Sequence, residues 1–405
     1  MPLNTIVSDL KNKINWLHDI PVDDLLDFIE EFGKSINSKS KTDFASTSKH
    51  ISDFFAKSNL KQELNLALRG NYKILDNFVK LENGGNKLYH VQPRGLAVRW
   101  IAGNVDELGI FSIIQALISK NVSLIKAPSN YENLLKILNL LKETNTQKLS
   151  GSDLAEVFSV IYLDKDDEEN QNLISEEADV RIIWGGLDAV SKIISLPKKS
   201  FCEDIVFGPK YSYAILDEES LSDSNIPVKL AFDISIFDQN ACSSPHTIFI
   251  ETKNKELIHS FAENLSLAMD KVNKLIPKQP ISDSKSMEIH EIRSENEFSG
   301  TVFSSKDTSW TIIVSDDNDL AKPCFSRVVF IKPISNAMSL IASNTKKIQT
   351  VGIMMNKEKR LELIDKLTLQ GGDRSPSLGD MSTYESPWDG MFVIDRMVRW
   401  VSTYD

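Results

Sequence analysis

Glycine is scarce in this sequence. The chain has 17 glycines among 405 residues, which is about 4% against an average near 7%. Neither the GxGxxG pattern of dinucleotide-binding turns nor the GxxxxGK[ST] pattern of phosphate-binding loops occurs. The absence of the GxxxxGK[ST] pattern argues against a P-loop nucleotide hydrolase. A nucleotide site in this protein therefore has to rely on something other than a glycine-rich loop.

Cysteine and histidine are few and scattered. The three cysteines form no CxxC pair, and the six histidines show no HExxH or HxH spacing. This pattern supports neither a disulfide framework nor a zinc site. We therefore expect no metal, and a reducing cytoplasmic compartment in which thiols stay free.

The sequence also lacks an excess of positive charge and a long apolar run. Forty-six lysines and arginines stand against 57 aspartates and glutamates, a net charge of −11. Such a surface argues against nucleic-acid binding, which depends on a concentrated positive field. No apolar stretch approaches the roughly 18 residues of a membrane span. We expect a protein that is neither inserted in a membrane nor secreted.

Short apolar runs alternate with helical segments from about residue 88 onward. Strand-like runs occur at 95–103, 122–127, 156–163 and 179–185, with helical segments between them. This alternation predicts a parallel sheet with helices on both faces, as in a Rossmann-type domain. The pattern restarts near residue 226, which predicts a second α/β domain.

The predicted organisation has four regions. Residues 1–85 have helical spacing and should pack on the domain that follows. The remaining regions are a Rossmann-type nucleotide domain at 86–217, a catalytic domain bearing Cys242 at 218–370, and a C-terminal segment at 371–405. The last segment contains an apolar run, WDGMFVIDRMVRWV, that predicts a helix. It either returns to the nucleotide domain or builds a subunit interface.

Cys242 is the best candidate for a nucleophile. It lies in FDQNACSSPHTIFIE, between a helical run and a strand, among small and polar residues that leave room for a substrate. Cys202 and Cys324 stand among aromatic and aliphatic neighbours, where an inert buried thiol is expected. A structural role for Cys242 is the alternative.

His246 is a possible general base, but its place at the start of a strand favours a structural role.

Four ordered motifs resemble those of the LuxC-type acyl-CoA reductases, a branch of the aldehyde dehydrogenase superfamily. They are KLYHVQPRGLAVRWIAGNVDELGIFSIIQALISKNVSLIKAPSN, FDQNACSSPHTIFIE, IQTVGIM, and DRSPSLGDM with SPWDGM. The resemblance runs from about residue 88 to the C-terminus. It implies an aldehyde-dehydrogenase-like α/β fold. It also implies NADPH-dependent reduction of an acyl-CoA or acyl-protein thioester, most simply a fatty acyl one, to the aldehyde through a Cys242 acyl-enzyme.

The resemblance assigns a role to Asn104. In IAGNVD it aligns with the superfamily asparagine whose side-chain amide helps to form the oxyanion hole, with the backbone N–H of Cys242 as the second donor. A helix N-cap is the competing interpretation, and both roles can hold together.

The resemblance also assigns a cofactor site. Lys126 aligns with the lysine that holds the adenosine ribose, and Gly185 and Gly186 align with the turn that receives the pyrophosphate at a helix N-terminus. Many NAD-specific members have a glutamate where this chain has Ser129. A neutral residue there does not repel a 2′-phosphate, so we expect NADPH over NADH. Val190 stands where the superfamily usually has a closing glycine. The alternative interpretation of Lys126 is an exposed surface lysine, and that of Gly185 and Gly186 is a plain strand-to-helix turn.

The glutamate that activates water in hydrolytic aldehyde dehydrogenases has no clear counterpart. Val206 and Phe207 stand near the expected place, and Glu203 and Asp204 lie close by in sequence. Without this base, a thiol is the preferred acyl partner. Two alternatives remain: an NAD(P)-dependent aldehyde dehydrogenase that makes free acid, and a non-catalytic acyl-thioester-binding subunit.

The resemblance also implies partners. Superfamily members form homo-oligomers through a β-arm, which residues 73–92 could supply here. LuxC-type reductases commonly receive acyl groups from an acyl-protein synthetase.

Overall fold

The computed structural model describes residues 2–43, 54–103, 107–129, 131–298, 300–317, 319–341 and 347–404. The helices are α1 (Leu3–Asn12), α2 (Ile14–Asp19), α3 (Val22–Asp43), α4 (Lys57–Ala67), α5 (Glu107–Ile118), α6 (Glu132–Glu143), α7 (Gly151–Ala155), α8 (Glu168–Glu177), α9 (Leu187–Ser195), α10 (Ile226–Ser235), α11 (Lys255–Leu275), α12 (Asp283–Glu297), α13 (Lys357–Gln370) and α14 (Val393–Met397). Short 3₁₀ helices span Tyr72–Leu75, Glu219–Ser222 and Ala337–Ile341.

The strands belong to three sheets. In chain order they are β1 (Val79–Lys80), β2 (Lys87–Pro93), β3 (Leu96–Trp100), β4 (Val122–Ala127), β5 (Phe158–Tyr162), β6 (Val180–Trp184), β7 (Glu203–Phe207), β8 (Tyr211–Asp217), β9 (Pro245–Glu251), β10 (Thr301–Ser304), β11 (Thr311–Val314), β12 (Val328–Ile334), β13 (Ile348–Met354) and β14 (Val398–Tyr404).

The chain forms two compact units. Unit 1 consists of residues 1–208 and 384–405, and unit 2 of residues 209–383. The C-terminal segment is therefore divided, because residues up to 383 belong to unit 2 and those beyond to unit 1. Each unit has its own parallel sheet.

The sheet of unit 1 is doubly wound. Its five parallel strands have the order β5-β4-β3-β6-β7. The chain winds outward from β3 to β5 and then returns to the other side of β3 with β6. Ligands of such sheets bind beyond the carboxyl ends of the strands where the winding reverses. In unit 1 this point lies between β3 and β6.

The N-terminal helices pack on this unit, as their apolar spacing predicts. On α3, Leu25, Phe28, Ile29 and Phe32 are fully buried. Their spacing places them on one face of the helix, and α3 contacts α4, α5 and α6. Burial of this stripe attaches the helical region to α5 and α6 of unit 1.

The C-terminal run forms a strand where a helix was predicted. Only Val393–Met397 is helical, and β14 pairs antiparallel with β2, which also pairs with β1. Trp388 and Met397 pack with Ala97 of β3 against the sheet of unit 1. The helix prediction holds for Val393–Met397 and is wrong from Val398 onward, because pairing with β2 satisfies the backbone there and tertiary context overrides an apolar spacing that is compatible with a helix.

The sheet of unit 2 has the order β10-β11-β12-β9-β8-β13 and is parallel except for β10. Alternate residues of β8 face opposite sides. Ala214 and Leu216 pack with α10 and α11, while Tyr213 and Ile215 pack with α13. The sheet is thus covered on both faces, as expected for parallel strands with continuous apolar runs. No helix among the described residues is long and apolar enough to span a membrane.

Candidate active site

Cys242 lies at the amino-terminal edge of the sheet of unit 2. It precedes β9 and follows α10, and its side chain is partly buried. The hydroxyl of Ser212, at the start of β8, donates to the carbonyl oxygen of Cys242 at 2.6 Å and accepts from the backbone N–H of Thr350 in β13 at 3.1 Å. Three neighbouring strands therefore converge on the cysteine.

The peptide group before Cys242 is also held. The backbone N–H of Ser244 donates to the carbonyl oxygen of Ala241 at 3.1 Å, which closes a turn around the cysteine. This carbonyl shares a peptide plane with the N–H of Cys242. Both peptide groups that flank Cys242 consequently have defined orientations.

A buried ion pair supports the segment that precedes the cysteine. Arg327 is fully buried, and its Nε donates to the Asp238 carboxylate at 2.5 Å. The same guanidinium donates to Asn273 Oδ1 at 2.9 Å and to the carbonyl oxygens of Ser235 and Ile276 at 3.1 and 2.9 Å. All three guanidinium nitrogens therefore have acceptors, as a buried arginine requires.

The two chain segments that this ion pair joins both contain residues with positive φ. Asp238 and Gln239 have φ values of 49° and 62°, and residues 325–327 have φ values between 55° and 62°. Gln239 Nε2 donates to the carbonyl oxygens of Pro245 and Val328 at 2.9 and 3.0 Å. Non-glycine residues reach this conformation at a cost, so the surrounding hydrogen bonds must hold it in place.

His246 is a buried aromatic residue of the core. It is 4% exposed, and its ring lies 5.4 Å from the ring of Tyr211 and 5.3 Å from that of Phe325. Burial lowers the pKa of His246 to about 4. The ring is therefore neutral at neutral pH, and its surroundings support the structural interpretation over the general base.

The other two cysteines lie in the core. Cys202 is 8% exposed and Cys324 is 2% exposed. Burial raises the pKa of the Cys202 thiol, and it raises that of the Cys324 thiol to about 11. Both remain protonated at neutral pH and are poor nucleophiles.

The carboxyl ends of the strands in unit 1 carry the residues expected to bind a cofactor. Asn104 lies outside the described residues. Lys126 is near the end of β4 and partly buried, and Ser129 follows it and is exposed. Burial lowers the pKa of Lys126, and the Asp164 carboxylate opposes this shift. A partly buried ammonium group at a strand end suits a polar ligand.

The turn after β6 lies at the reversal point of the sheet. Gly186 precedes α9 and its carbonyl oxygen accepts from the N–H of Val190 at 3.0 Å. The indole of Trp184 stacks on Phe207 at 3.7 Å, and its buried Nε1 has no hydrogen-bond partner among the described residues. Exposed N–H groups at the start of a helix and an unused indole donor fit a phosphate-containing ligand. These residues are compatible with a nicotinamide dinucleotide.

The acidic residues near the position of the missing glutamate are engaged in ion pairs. Asp204 accepts from Nε and Nη2 of the buried Arg181 at 2.7 Å each and from Lys198 at 2.7 Å. Glu203 pairs with Arg396 and with Arg94. Val206 and Phe207 occupy β7 itself. Neither carboxylate is free to act as a base on water.

Residues 17–400 match the model of the family described as acyl-CoA reductase (LuxC). The chain belongs to this family. Membership identifies it as an oxidoreductase of acyl or aldehyde groups. The matched range also includes most of the N-terminal helical region, which the motifs alone left outside the resemblance.

Two curated relatives are long-chain acyl-protein thioester reductases. The protein of Aliivibrio fischeri is 27% identical over 338 residues, which are 82% of this chain and 68% of the relative. That of Photobacterium phosphoreum is 26% identical over 326 residues, which are 78% of this chain and 64% of the relative. The chain thus matches about two thirds of the length of these proteins.

Solved aldehyde dehydrogenases have the same fold. An NADP-dependent glyceraldehyde-3-phosphate dehydrogenase from Bacillus halodurans C-125, complexed with NADP, has a TM-score of 0.69 at 15% identity, covering 99% of this chain and 90% of the other. An indole-3-acetaldehyde dehydrogenase complexed with NAD+ has a TM-score of 0.72 at 13% identity, covering 99% and 88%. The predicted aldehyde-dehydrogenase-like fold is confirmed.

Among the described residues, no cluster of histidine, cysteine and carboxylate side chains could hold a metal ion.

Two residues of the site carry only weak sequence signals. Ser212 is a hydroxyl residue within an apolar strand, and Asp233 is a carboxylate within the apolar run VKLAFDISIF. Both are fully buried. A polar residue inside an apolar run requires a hydrogen-bond partner if it is buried. That rule identifies such positions, but the partner depends on the fold.

The burial of His246 predicts acid-dependent stability of unit 2. An unfolded histidine has a pKa of about 6.5, so its stabilising contribution is fully present above that pH and is lost as the pH falls toward 4. Between pH 7 and pH 5, the wild type should lose about 2 kcal/mol more unfolding free energy than His246→Phe. Hydrogen exchange of peptides covering β9 measures this difference.

A matched control is His259→Gln, since His259 is exposed on α11. It should retain the acid dependence of the wild type. An equal loss of stability in His246→Phe and wild type would contradict the buried, neutral state of His246.

Proposed function

We propose that this protein reduces an acyl thioester to the aldehyde, using NADPH and an acyl-enzyme on Cys242. The observation that carries the proposal is the setting of Cys242, a partly buried thiol whose two flanking peptide groups are fixed by hydrogen bonds. The other two thiols are buried with raised pKa values. Family membership supplies the reaction class.

Cys242 acts as the nucleophile in this mechanism. Its thiolate attacks the carbonyl carbon of the substrate, and the carbon–sulfur bond to the carrier breaks, so that the carrier leaves as a thiolate. The acyl group is then held as a thioester on Cys242. The turn closed by the Ser244 N–H and the Ala241 carbonyl fixes the direction of the Cys242 N–H. This N–H and the amide of Asn104 are the proposed donors to the developing oxyanion.

The nucleotide is assigned to the strand ends of unit 1. Lys126 would hold the adenosine ribose, and Gly185, Gly186 and the start of α9 would face the pyrophosphate. When bound, the reduced nicotinamide supplies hydride to the acyl carbon. Release of the aldehyde breaks its bond to Cys242 and restores the thiolate.

Transfer of the acyl group to water is disfavoured in this chain. Glu203 and Asp204 are held by arginines, and Asp238, four residues before Cys242, is held by Arg327. A carboxylate in a tight ion pair is a weak base. These contacts argue against the free-acid alternative, and the partial exposure of Cys242 argues against a non-catalytic acyl-thioester-binding subunit, for which a buried and unreactive Cys242 is expected.

The substrate is a fatty acyl group on coenzyme A or on a protein. The relatives from Aliivibrio fischeri and Photobacterium phosphoreum are long-chain acyl-protein thioester reductases. An acyl-protein synthetase is the proposed donor, and the proposed assembly is a homo-oligomer. The absence of a disulfide among Cys202, Cys242 and Cys324 fits the proposed reducing cytoplasm.

Replacement of Cys242 tests the reaction. Cys242→Ala should lower the rate of thioester-dependent NADPH oxidation at least about a thousandfold, because it removes the nucleophile. Cys324→Ala is the matched control and should retain most of the activity. The assay follows nicotinamide absorbance with a series of acyl-CoA chain lengths. Equal activity of wild type and Cys242→Ala, or no reduction of any acyl thioester, would contradict the mechanism.

Replacement of Ser129 tests the cofactor. The wild type should use NADPH with a higher kcat/KM than NADH, and Ser129→Glu should reduce this preference about 10-fold or more, because a carboxylate repels the 2′-phosphate. Ser129→Gln has the same size without the charge and should keep the preference. A wild type that favours NADH would refute the assignment.

A further inference from the structure

The stretch after α13 runs along the edge of the sheet of unit 2. The N–H of Arg374 donates to the carbonyl oxygen of Gln349 at 3.1 Å, and the N–H of Val351 donates to that of Arg374 at 3.0 Å. The stretch therefore forms a single parallel bridge to β13, between Arg374 and Thr350. It continues into residues 378–382, here called the 378–382 segment.

The 378–382 segment packs on β13 through apolar contacts. Leu378 and Met381 are 1% and 0% exposed. Gly352 of β13 lies beneath them, and a Cβ at that position would be 2.7 Å from Leu378 and 2.8 Å from the sulfur of Met381. A larger residue at position 352 would require the buried ends of the Leu378 and Met381 side chains to move.

Asp233 anchors the same segment from α10. Its carboxylate accepts from the backbone N–H of Gly379 at 2.6 Å and from that of Met381 at 3.0 Å. Asp233 is fully buried within an apolar helix. Burial of a carboxylate is costly unless strong hydrogen bonds offset it. The two N–H groups provide that compensation and fix the segment relative to α10.

The anchored segment contacts the residue next to Cys242. The hydroxyl of Ser243, which is 2% exposed, donates to the hydroxyl of Ser382 at 3.0 Å. One residue earlier, the carbonyl oxygen of Cys242 accepts from Ser212, which is held by β13. Two successive residues of the cysteine turn are therefore fixed by β13 and by the segment packed on it.

We propose that the 378–382 segment is a positioning element for Cys242, in which Asp233 fixes the segment and Ser382 orients the cysteine turn through Ser243. This inference rests on the proposed function, in which Cys242 is the nucleophile. Asp233 and Ser382 do not take part in the chemistry. They restrict the turn to the orientation in which the thiol and its N–H act together on the same carbonyl group.

Removal of one hydroxyl group tests the positioning role. Ser382→Ala should lower kcat about 5- to 10-fold with little change in KM, because it removes one hydrogen bond that orients the cysteine turn. The rate of alkylation of Cys242 by iodoacetamide, followed by peptide mass spectrometry without substrate or cofactor, should change as well. Ser382→Thr keeps the hydroxyl and should restore both rates. Ser266→Ala removes an exposed serine–carbonyl contact on α11 and is the matched control.

A double-variant comparison separates positioning from a general loss of stability. Ser243→Ala with Ser382→Ala should be no slower than either single variant, because both remove the same contact.

Asp233→Asn, which keeps one acceptor of two, should reproduce the loss of kcat and the altered alkylation rate. Wild-type kcat and alkylation rate in Ser382→Ala, or multiplied losses in the double variant, would overturn the proposal. Full activity of Cys242→Ala would instead overturn the proposed function.

Discussion

The ion pair between Asp238 and Arg327 holds the segment that leads into the turn of Cys242. Arg327 reaches this position from a loop whose residues 325–327 all have positive φ, and Asp238 and Gln239 have positive φ as well. Such residues persist only where surrounding contacts enforce them. Removal of one partner from a buried pair of this kind costs about 3–5 kcal/mol. The segment before the cysteine turn and the loop before β12 both depend on this interaction.

The two units present their functional residues at opposite ends of parallel strands. In unit 1, Lys126, Gly185 and Gly186 lie at carboxyl ends, where N–H groups at the start of a helix and a lysine can serve phosphates without a glycine-rich loop. In unit 2, Cys242 lies at the amino ends of β8, β9 and β13. The low glycine content is therefore compatible with the proposed nucleotide site, because that site consists of strand ends and a two-glycine turn.

The alternation of strands and helices could be predicted from sequence, since apolar runs at regular spacing determine a parallel sheet. Cys242 could be singled out because its neighbours are small and polar. The C-terminal strand could not be predicted, because residues 398–404 form a strand by pairing with β2, which lies about 300 residues earlier in the chain. The partners of Ser212 and Asp233 could not be predicted either, because each contact joins segments that are more than 29 residues apart in sequence and meet only in the fold.

The most direct test of the account is acylation of the protein without a reductant. Wild-type protein is incubated with a long-chain acyl-CoA and no nicotinamide nucleotide, and its peptides are analysed by mass spectrometry. The mechanism predicts one added acyl group, on Cys242, which hydroxylamine removes and which disappears with aldehyde formation when NADPH is added. Acylation at another residue, or aldehyde formation in protein that never acylates Cys242, would contradict it.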